Sequence, residues 1–364
     1  MTAEAGGARG VRGTNTGASG LGPNAGLVEE MYLAYRENPE AVSEAWREFF
    51  ADYVPRSPGG AGAAAPTAPA APASTPPAPA ADATGGGNGE AARPAPGRPP
   101  WVLESEQPQA LRGATARIVE NMEASLGVPT ATSVRSVPAK LLEVNRQILN
   151  NQLARAGRGK VSFTHLIAFA VLRGLRAVPN INSSFGEIDG TPHVVRHERV
   201  NLGLAIDQER SDGSRTLLVP NIGAADTLDF AAFHAAYEEL LRRVRQGKIS
   251  PDDFVGTTVS ITNPGMIGTE HSVPRLMPGQ GVIVGVGSID YPAEFEGADR
   301  RNLSSLGISK VVTVTSTYDH RVIQGAESGE VLGVIHRLLL GQDDFYDDIF
   351  ASLGVPYEPA RWTR

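Results

Sequence analysis

One stretch of the chain, residues 57–100, limits what the rest can fold into. It holds 11 Pro, 15 Ala and 8 Gly among its 44 residues, and no aromatic residue. Such a segment buries too little apolar surface to offset the entropy lost on ordering. Because Pro and Ala are interleaved there, we expect a semi-extended, disordered linker over residues 54–107. We also expect a disordered tail at residues 1–20.

The short segment before the linker, residues 21–53, has a helical pattern. Leu27 and Met31 recur at helical spacing, and a second helix can begin at Asn38, a capping residue followed by Pro and Glu. That helix continues through Trp46. A helical hairpin of about 30 residues is too small to hold a core of its own. We therefore expect a docking arm whose apolar faces pack on another surface, the alternative being a weakly ordered tail.

From residue 108 to residue 364 the composition becomes globular. Helical periodicity predicts helices at 109–125, 138–155, 163–178 and 227–247. Alternating or β-branched runs predict strands at 193–207, 214–219, 257–263, 281–288 and 310–318. These elements are mixed without the regular βαβ spacing of a doubly wound sheet, which indicates one α/β domain.

Charge and composition exclude several classes of protein. The chain has 33 Lys and Arg against 40 Asp and Glu, a net charge of −7, which argues against nucleic acid as a partner. No apolar run reaches the ~18–20 residues that span a bilayer, and the N-terminus lacks the apolar region of a secretory signal. With no cysteine, disulfides and thiolate metal sites are excluded. We expect a cytoplasmic protein.

One of the seven histidines stands out. His320 follows a strongly β-prone run and precedes a glycine turn, a position from which a side chain can reach into a cleft. With an ordinary pKa of ~6.5, an imidazole can accept a proton from a thiol of pKa ~8.5. His193 and His197 are four residues apart, but in a predicted strand they need not share a face and no acid-rich ligand set surrounds them, so no metal site is predicted. Three others lie in helical patterns and are interpreted as packing or surface residues: His165, His234 and His336.

Of two further motifs, one has two possible interpretations and the other is rejected as a binding site. The run Thr257–Gly265 is a strand of hydroxyl residues that ends at a Pro-Gly turn. Such hydroxyls are either β-formers on a wet face, or one of them donates a hydrogen bond to an oxyanion. The run Gly279–Gly287 lacks the full G-x-G-x-x-G pattern and is not followed by a helix, so a dinucleotide site is rejected.

Residues 316–325, STYDHRVIQG, resemble the D-H-R-x-x-D-G signature of the dihydrolipoamide acyltransferases, whose catalytic domain is similar to chloramphenicol acetyltransferase. Supporting segments stand in the family's order at 179–183, 200–205, 216–220, 260–268 and 281–285. The resemblance covers about residues 108–350. It implies an α/β fold, a chloramphenicol-acetyltransferase-like domain preceded by the helical arm and the disordered linker. The I-T-N-x-G run at 261–265 is most similar to succinyl-transferring members, which serve the oxidation of 2-oxoglutarate.

Residues 22–50 resemble the leading arm of the thiamine-dependent 2-oxoglutarate dehydrogenase component. Together the two pieces resemble the front part of the actinobacterial multifunctional 2-oxoglutarate enzymes of the citric acid cycle. The resemblance implies transfer of a succinyl group between dihydrolipoamide and coenzyme A. It also implies that a decarboxylating region, which uses thiamine diphosphate and magnesium, is absent from this chain.

The resemblance also assigns roles to residues. It implies that His320 is the general base and that the Thr262 hydroxyl stabilises the tetrahedral oxyanion. Gln324 stands where the family generally has an aspartate, so hydrogen bonding is retained and the charge is lost. A trimeric scaffold with weak or no transferase activity, organising a decarboxylase, therefore stays open. An antibiotic acetyltransferase is disfavoured by the arm and the linker. The remaining candidates, for binding substrate, are Thr269, His271, Ser272 and Arg321.

The lysines bear on the cofactor. The chain has only four, Lys140, Lys160, Lys248 and Lys310, and none has the D-K-A hairpin setting of a lipoyl-lysine. The resemblance therefore implies that the lipoyl domain of another acyltransferase supplies lipoamide in trans. It further implies dihydrolipoamide dehydrogenase and a thiamine-dependent decarboxylase region as partners. A homotrimer is implied, in which neighbouring subunits contribute the histidine and the hydroxyl.

Overall fold

The computed structural model describes residues 24–51, 53, 107, 108, 110, 111, 114–209 and 215–362. The helices are α1 (Ala25–Glu37), α2 (Glu44–Ala51), α3 (Ala114–Leu126), α4 (Lys140–Arg155), α5 (Phe163–Ala177), α6 (Phe230–Arg245), α7 (Arg300–Ser305), α8 (Gly325–Leu339) and α9 (Phe345–Ser352). The strands are β1 (Thr130–Pro138), β2 (Ser183–Ile188), β3 (Thr191–Arg196), β4 (Leu202–Leu204), β5 (Ile206–Glu209), β6 (Arg215–Leu218), β7 (Asn221–Ile222), β8 (Val259–Thr262), β9 (Val282–Asp290) and β10 (Val311–Asp319). The predicted tail and, except for Gln107, the predicted linker lie outside the described residues.

Six strands form the central sheet, in the order β1-β10-β9-β8-β4-β7. Strands β4, β8 and β9 run parallel, whereas β10 is antiparallel to β9 and β1 is antiparallel to β10. Two hairpins, β2–β3 and β5–β6, form separate two-stranded ribbons. Because β8 and β10 run in opposite directions, their carboxyl ends lie at opposite ends of the sheet.

The two faces of this sheet differ in chemistry. One face is apolar and forms the core together with helices α4, α5, α6, α8 and α9. The opposite face carries hydroxyl groups, contributed by Ser260, Thr262, Thr313, Thr315 and Thr317. Thr315 donates to the carbonyl of Ser272 over 2.9 Å, so the loop that follows β8 covers this polar face. Gly287 permits the close cover, since a Cβ there would lie 1.8 Å from the Glu270 carbonyl oxygen.

Helix α5 is buried on nearly all sides, which accounts for its apolar sequence. Ser162 begins the helix by accepting a hydrogen bond from the His165 amide. Gly174 lets α8 approach closely, because a Cβ there would meet Ile335 at 3.1 Å. Within the described ranges, no helix combines the length and the apolar character that crossing a membrane requires.

The mixed α/β class predicted from the sequence is confirmed. Helices α4, α5 and α6 match the predicted segments within three residues at each end. Strands β6, β8, β9 and β10 match theirs within two residues. The helix predicted at 109–125 begins later, at Ala114.

The strand predicted at 193–207 is wrong, because the structure divides it into β3, β4 and β5. Asn182 explains the division. Its Nδ2 donates to the carbonyl oxygens of His197 and Arg199, over 3.0 and 2.9 Å, and holds a bend between β3 and β4. The residues predicted as one strand thus form β3 in the β2–β3 ribbon, β4 in the central sheet and β5 in the β5–β6 ribbon.

The N-terminal arm, residues 24–51 and 53, belongs to the same compact unit as the α/β domain. Its buried apolar side chains pack on one flank of the domain, in a cluster of Val28, Val42, Trp46, Phe50, Tyr53, Leu218, Val244, Ile249 and Phe254. Trp46 Nε1 donates to the Ile249 carbonyl over 2.8 Å. The arm therefore packs on β6, on the end of α6 and on the turn Pro251–Phe254.

Candidate active site

His320 directly follows β10, where the chain leaves the sheet. Its amide donates to the carbonyl of Pro129 over 2.9 Å, which ties this position to the start of β1. Its Nδ1 lies 3.1 Å from the carbonyl oxygen of Ile323. A carbonyl oxygen can only accept, so Nδ1 carries the proton of the neutral ring and Nε2 keeps its lone pair. The exposed imidazole is thus held in the tautomer that can accept a proton at Nε2.

An ion pair with a buried carboxylate supports the strand end beside His320. The Asp319 carboxylate, 2% exposed, accepts from Arg321 Nε over 2.9 Å and from Arg321 Nη2 over 2.6 Å. Hydrogen bonding to this carboxylate raises the pKa of Arg321. The guanidinium also lies 3.8 Å above the Phe185 ring. Arg321, predicted as a substrate contact, is thus engaged with Asp319, a residue to which sequence reasoning assigned no role.

Gln324, predicted beside the histidine, lies at the start of α8. Its backbone N–H donates to Glu327 Oε2 over 2.8 Å, and its side chain is exposed. This contact satisfies one of the free amides at the start of the helix. No described contact joins the Gln324 side chain to His320.

Thr262 ends β8 and lines a cavity of about 580 Å³. The next residue, Asn263, donates through Nδ2 to Thr164 Oγ1 over 2.7 Å, which ties the strand end to α5. The remaining walls come from the β5–β6 ribbon, α6 and the turn Pro264–Ile267. Burial raises the pKa of Tyr237, in the wall of the cavity, to about 12, so its phenol is neutral at ordinary pH. The cavity combines an apolar lining with a hydroxyl at the strand end.

The three other predicted candidates lie in the loop after β8. Thr269 is half-buried, and its carbonyl accepts from the Ser288 amide over 2.9 Å. His271 is exposed. The Ser272 Oγ is buried without a hydrogen-bond partner among the described residues. The structure thus places these residues over the polar face of the sheet and not in the cavity lining.

Thr262 and His320 do not meet within one chain. Thr262 pairs with Gly285 of β9, and Gly285 pairs with Thr315 of β10. His320 lies five residues beyond Thr315, ~17 Å further along at about 3.3 Å per residue. A single reacting carbonyl group cannot contact both side chains of the same copy.

A cluster of His165, His234 and Glu238 places three possible metal-ligand atoms within 4.8 Å of one another. His165 Nδ1 accepts from the Ser162 amide over 3.1 Å, so the proton of the neutral ring is on Nε2, which lies 3.1 Å from Glu238 Oε1. Burial, and then the charge of His234, lower the pKa of His165 to about 3. The ring is therefore neutral and lacks a free lone pair for a metal, and the cluster joins α5 to α6.

Two segments match known families. Residues 104–344 match the 2-oxoacid dehydrogenases acyltransferase (catalytic domain) family, and residues 21–57 match the 2-oxoglutarate dehydrogenase N-terminus. The multifunctional 2-oxoglutarate metabolism enzyme of Mycolicibacterium vanbaalenii is 50% identical over 370 residues, which cover 94% of this chain and 30% of that protein. The chain thus spans 30% to 31% of the length of the curated relatives named multifunctional 2-oxoglutarate metabolism enzymes.

Solved acyltransferase cores share the fold. The dihydrolipoamide acetyltransferase of Azotobacter vinelandii is 27% identical with a TM-score of 0.52, covering 66% of this chain and 90% of that one. The cubic core of a pyruvate dehydrogenase multienzyme complex is 26% identical with a TM-score of 0.54, covering 69% and 94%. The work on the Azotobacter enzyme concerns a serine, a histidine and, four positions after it, an asparagine in the catalytic mechanism.

Proposed function

Because this chain belongs to the 2-oxoacid dehydrogenases acyltransferase (catalytic domain) family, we propose that it moves a succinyl group between dihydrolipoamide and coenzyme A. The choice of succinyl has two supports. The relatives at 46% to 50% identity are named for 2-oxoglutarate metabolism, and the arm matches the N-terminus of 2-oxoglutarate dehydrogenase. Loss of carbon dioxide from the five-carbon 2-oxoglutarate leaves a four-carbon succinyl group.

The observation that carries the proposal is the hydrogen bond between His320 Nδ1 and the Ile323 carbonyl. It leaves Nε2 as the proton acceptor. In the proposed reaction, Nε2 takes the proton of the coenzyme A thiol as the sulfur attacks the thioester carbonyl of succinyl-dihydrolipoamide. The tetrahedral intermediate then expels the dihydrolipoamide sulfur as the carbon–sulfur bond breaks, and the proton passes from Nε2 to that sulfur.

The Thr262 hydroxyl is proposed to donate a hydrogen bond to the oxyanion of this intermediate. Since Thr262 and His320 of one chain lie ~17 Å apart along the strands, the donor and the base come from two copies. We propose a homotrimer in which each site joins the His320 end of one subunit to the Thr262 end of the next. The solved structure at 26% identity, described as the cubic core of a pyruvate dehydrogenase multienzyme complex, supports an assembly of several copies.

Gln324 is compatible with activity in this proposal. The Azotobacter acetyltransferase has an asparagine four positions after its catalytic histidine, and Gln324 supplies the same amide group at that spacing. Thr269, His271 and Ser272 remain proposed contacts of the acyl group, on the loop that covers the polar face. Arg321 is proposed to act indirectly, by neutralising Asp319 beside the base.

Lipoamide is proposed to arrive on the lipoyl domain of another acyltransferase. The thiamine diphosphate- and magnesium-dependent decarboxylation that forms the succinyl group belongs to a component outside these residues. Dihydrolipoamide dehydrogenase would reoxidise the released dithiol. We propose that the protein acts in the cytoplasm.

The test is succinyl transfer from succinyl-dihydrolipoamide to coenzyme A by the purified chain, followed by the appearance of succinyl-CoA. His320→Ala should lower the rate by ~10²–10⁴. Because the side chain is exposed, the melting temperature should stay within a few degrees. Unchanged turnover of this variant would exclude the assignment. Acetyl-dihydrolipoamide is the control substrate, and a higher kcat/KM for acetyl would refute the succinyl preference.

The scaffold alternative predicts a different set of results. The chain would still form trimers, but coenzyme A would not bind and transfer would be absent even with His320 intact. Equilibrium binding of coenzyme A, together with the mass of the assembly in solution, separates the two proposals.

A further inference from the structure

The arm packs against the wall of the cavity that holds Thr262. Two residues line the cavity and also belong to the cluster beneath the arm: Ile206 of β5 and Val244 of α6. One layer of side chains therefore separates the arm from the cavity.

The β5–β6 ribbon is the less supported part of this wall. It is a two-stranded ribbon outside the central sheet, and an isolated hairpin of this kind is marginally stable. Leu217 lines the cavity, whereas the next residue, Leu218, is buried in the cluster beneath the arm. Strand β6 thus turns Leu217 toward the cavity and Leu218 toward the arm, whereas Ile206 of β5 borders both.

Asn24 fixes the end of this ribbon. Its Nδ2 donates to the Val219 carbonyl over 3.1 Å, and its Oδ1 accepts from the Val219 amide over 2.8 Å. The side chain is 2% exposed. One amide thus binds both backbone groups of a residue, as a neighbouring strand would, at the point where the pairing of β6 with β5 ends. Val219 is buried, so loss of Asn24 leaves two buried polar groups without this partner.

The ribbon carries polar side chains into the cavity wall. Asp207 and Gln208 of β5 line it, and so does Arg215 of β6, which forms an ion pair with Asp207. A displacement of the ribbon therefore shifts both the apolar and the charged groups that face the cavity. Thr262 is held separately, by its place in the central sheet and by the bond between Asn263 and Thr164.

We propose that the arm is a positioning element of this cavity, acting through Asn24 on Val219 and through Trp46 and Phe50 on Leu218 and Val244. This rests on the proposed function, in which Thr262 donates to the oxyanion, and it adds that a thiol substrate binds in the cavity beside Thr262. The arm fixes the substrate-facing ribbon and leaves the oxyanion donor and the base in place. Loss of the contact weakens substrate binding more than it slows the chemical step.

The test uses Asn24→Ala, which removes both hydrogen bonds, and Asn24→Asp, which keeps the acceptor and loses the donor. The matched control is Asn38→Ala. Asn38 is also an asparagine of the arm, but it is exposed, and among the described residues its side chain accepts from the Glu40 amide alone, within the arm. All three are made in the full chain.

Two readouts are measured. For Asn24→Ala, the KM of at least one thiol substrate should rise about fivefold or more while kcat changes less than about twofold. Asn24→Asp should raise KM at least as much as Asn24→Ala, because its buried carboxylate faces the Val219 carbonyl oxygen, and Asn38→Ala should match the wild type. The proposal would be overturned if kcat of Asn24→Ala fell by as large a factor as KM rose, or if KM stayed unchanged for both substrates.

The second readout does not depend on transfer. Hydrogen exchange of the Val219 and Leu218 amides should accelerate about tenfold or more in Asn24→Ala, while amides of β9 keep their protection. If the wild type transfers no acyl group, the proposed function fails and this exchange still tests the coupling of the arm to the ribbon. Uniform acceleration across the domain would show general destabilisation and overturn the positioning role.

Discussion

The two ends of the central sheet are supported in different ways. At the end that carries His320, the contacts that orient the ring and pair the neighbouring charge are close in sequence: the carbonyl of Ile323 and the ion pair of Asp319 with Arg321. The backbone of His320 is tied further away, to Pro129. At the end that carries Thr262, one cavity wall is the β5–β6 ribbon, which is held by Asn24 from 195 residues away. The comparison teaches that the imidazole is oriented by local contacts, whereas the cavity wall depends on side chains that are distant in sequence.

The largest expected effect tests whether the two ends work together across a subunit boundary. Alone, His320→Ala should lose ~10²–10⁴ in rate and Thr262→Val ~10²–10³. Co-produced in equal amounts, the two variants should recover about a quarter of the wild-type sites, since three quarters of random trimers are mixed and each has one intact interface of three. Initial rates of succinyl-CoA formation measure the recovery.

The control is Thr262→Ser, which keeps the hydroxyl and should keep most of the activity. If co-production restores nothing while both variants form trimers, the base and the donor do not act across the interface. The two ends of the sheet would then not contribute to one active site.

The next effect concerns the local support of the base. Asp319→Asn removes the charge of the buried carboxylate and weakens its hydrogen bonds with the partly exposed Arg321, so the free energy of unfolding should fall by about 1.5–3 kcal/mol. Urea unfolding measures it. The control is Asp347→Asn, which breaks the exposed ion pair with Arg361 and should cost less than about 1 kcal/mol. Equal losses of unfolding free energy for both variants would mean that burial of the Asp319 carboxylate adds no stability to its ion pair.

The smallest effect is a pH dependence from the cluster that joins α5 to α6. Burial lowers the pKa of His165 to about 3, against an ordinary value of 6.5. Between these values the unfolded chain binds a proton that the folded chain does not, so His165 makes stability fall as pH falls through this window. His165→Gln should reduce the slope by at most about 1.4 kcal/mol per pH unit. Urea unfolding at several pH values from 7 to 4.5 measures it, and an unchanged slope would contradict the assignment.

The sequence predicted the elements with strong periodicity and the positions where two strands end. The hydroxyl-rich run predicted the strand end at which the family resemblance assigns Thr262, and the β-prone run predicted the position of His320 after β10. Strand β1 was not predicted, because TATSVRSVP has no regular apolar alternation. Its position depends on pairing with β10, including a 2.8 Å contact between the hydroxyls of Thr132 and Thr317. A tertiary partner, and not local propensity, makes this segment a strand.

The candidate site was less accessible to sequence reasoning. The tautomer of His320 depends on a turn that directs the Ile323 carbonyl toward Nδ1, which no composition or spacing indicates. The role of Asn24 depends on a single contact across the whole fold. Buried polar pairs such as Asp319 with Arg321 have only a weak local signal, two opposite charges at spacing two after a strand.

The contact between Asn24 and Val219 also has a consequence for synthesis. The arm leaves the ribosome before its partner, which is made 195 residues later. At ~5–20 residues per second, the aromatic side chains of the arm wait about 10–40 s before the surface they cover exists. The arm therefore reaches its native place long after it is translated, and until then it is exposed to chaperones and proteases.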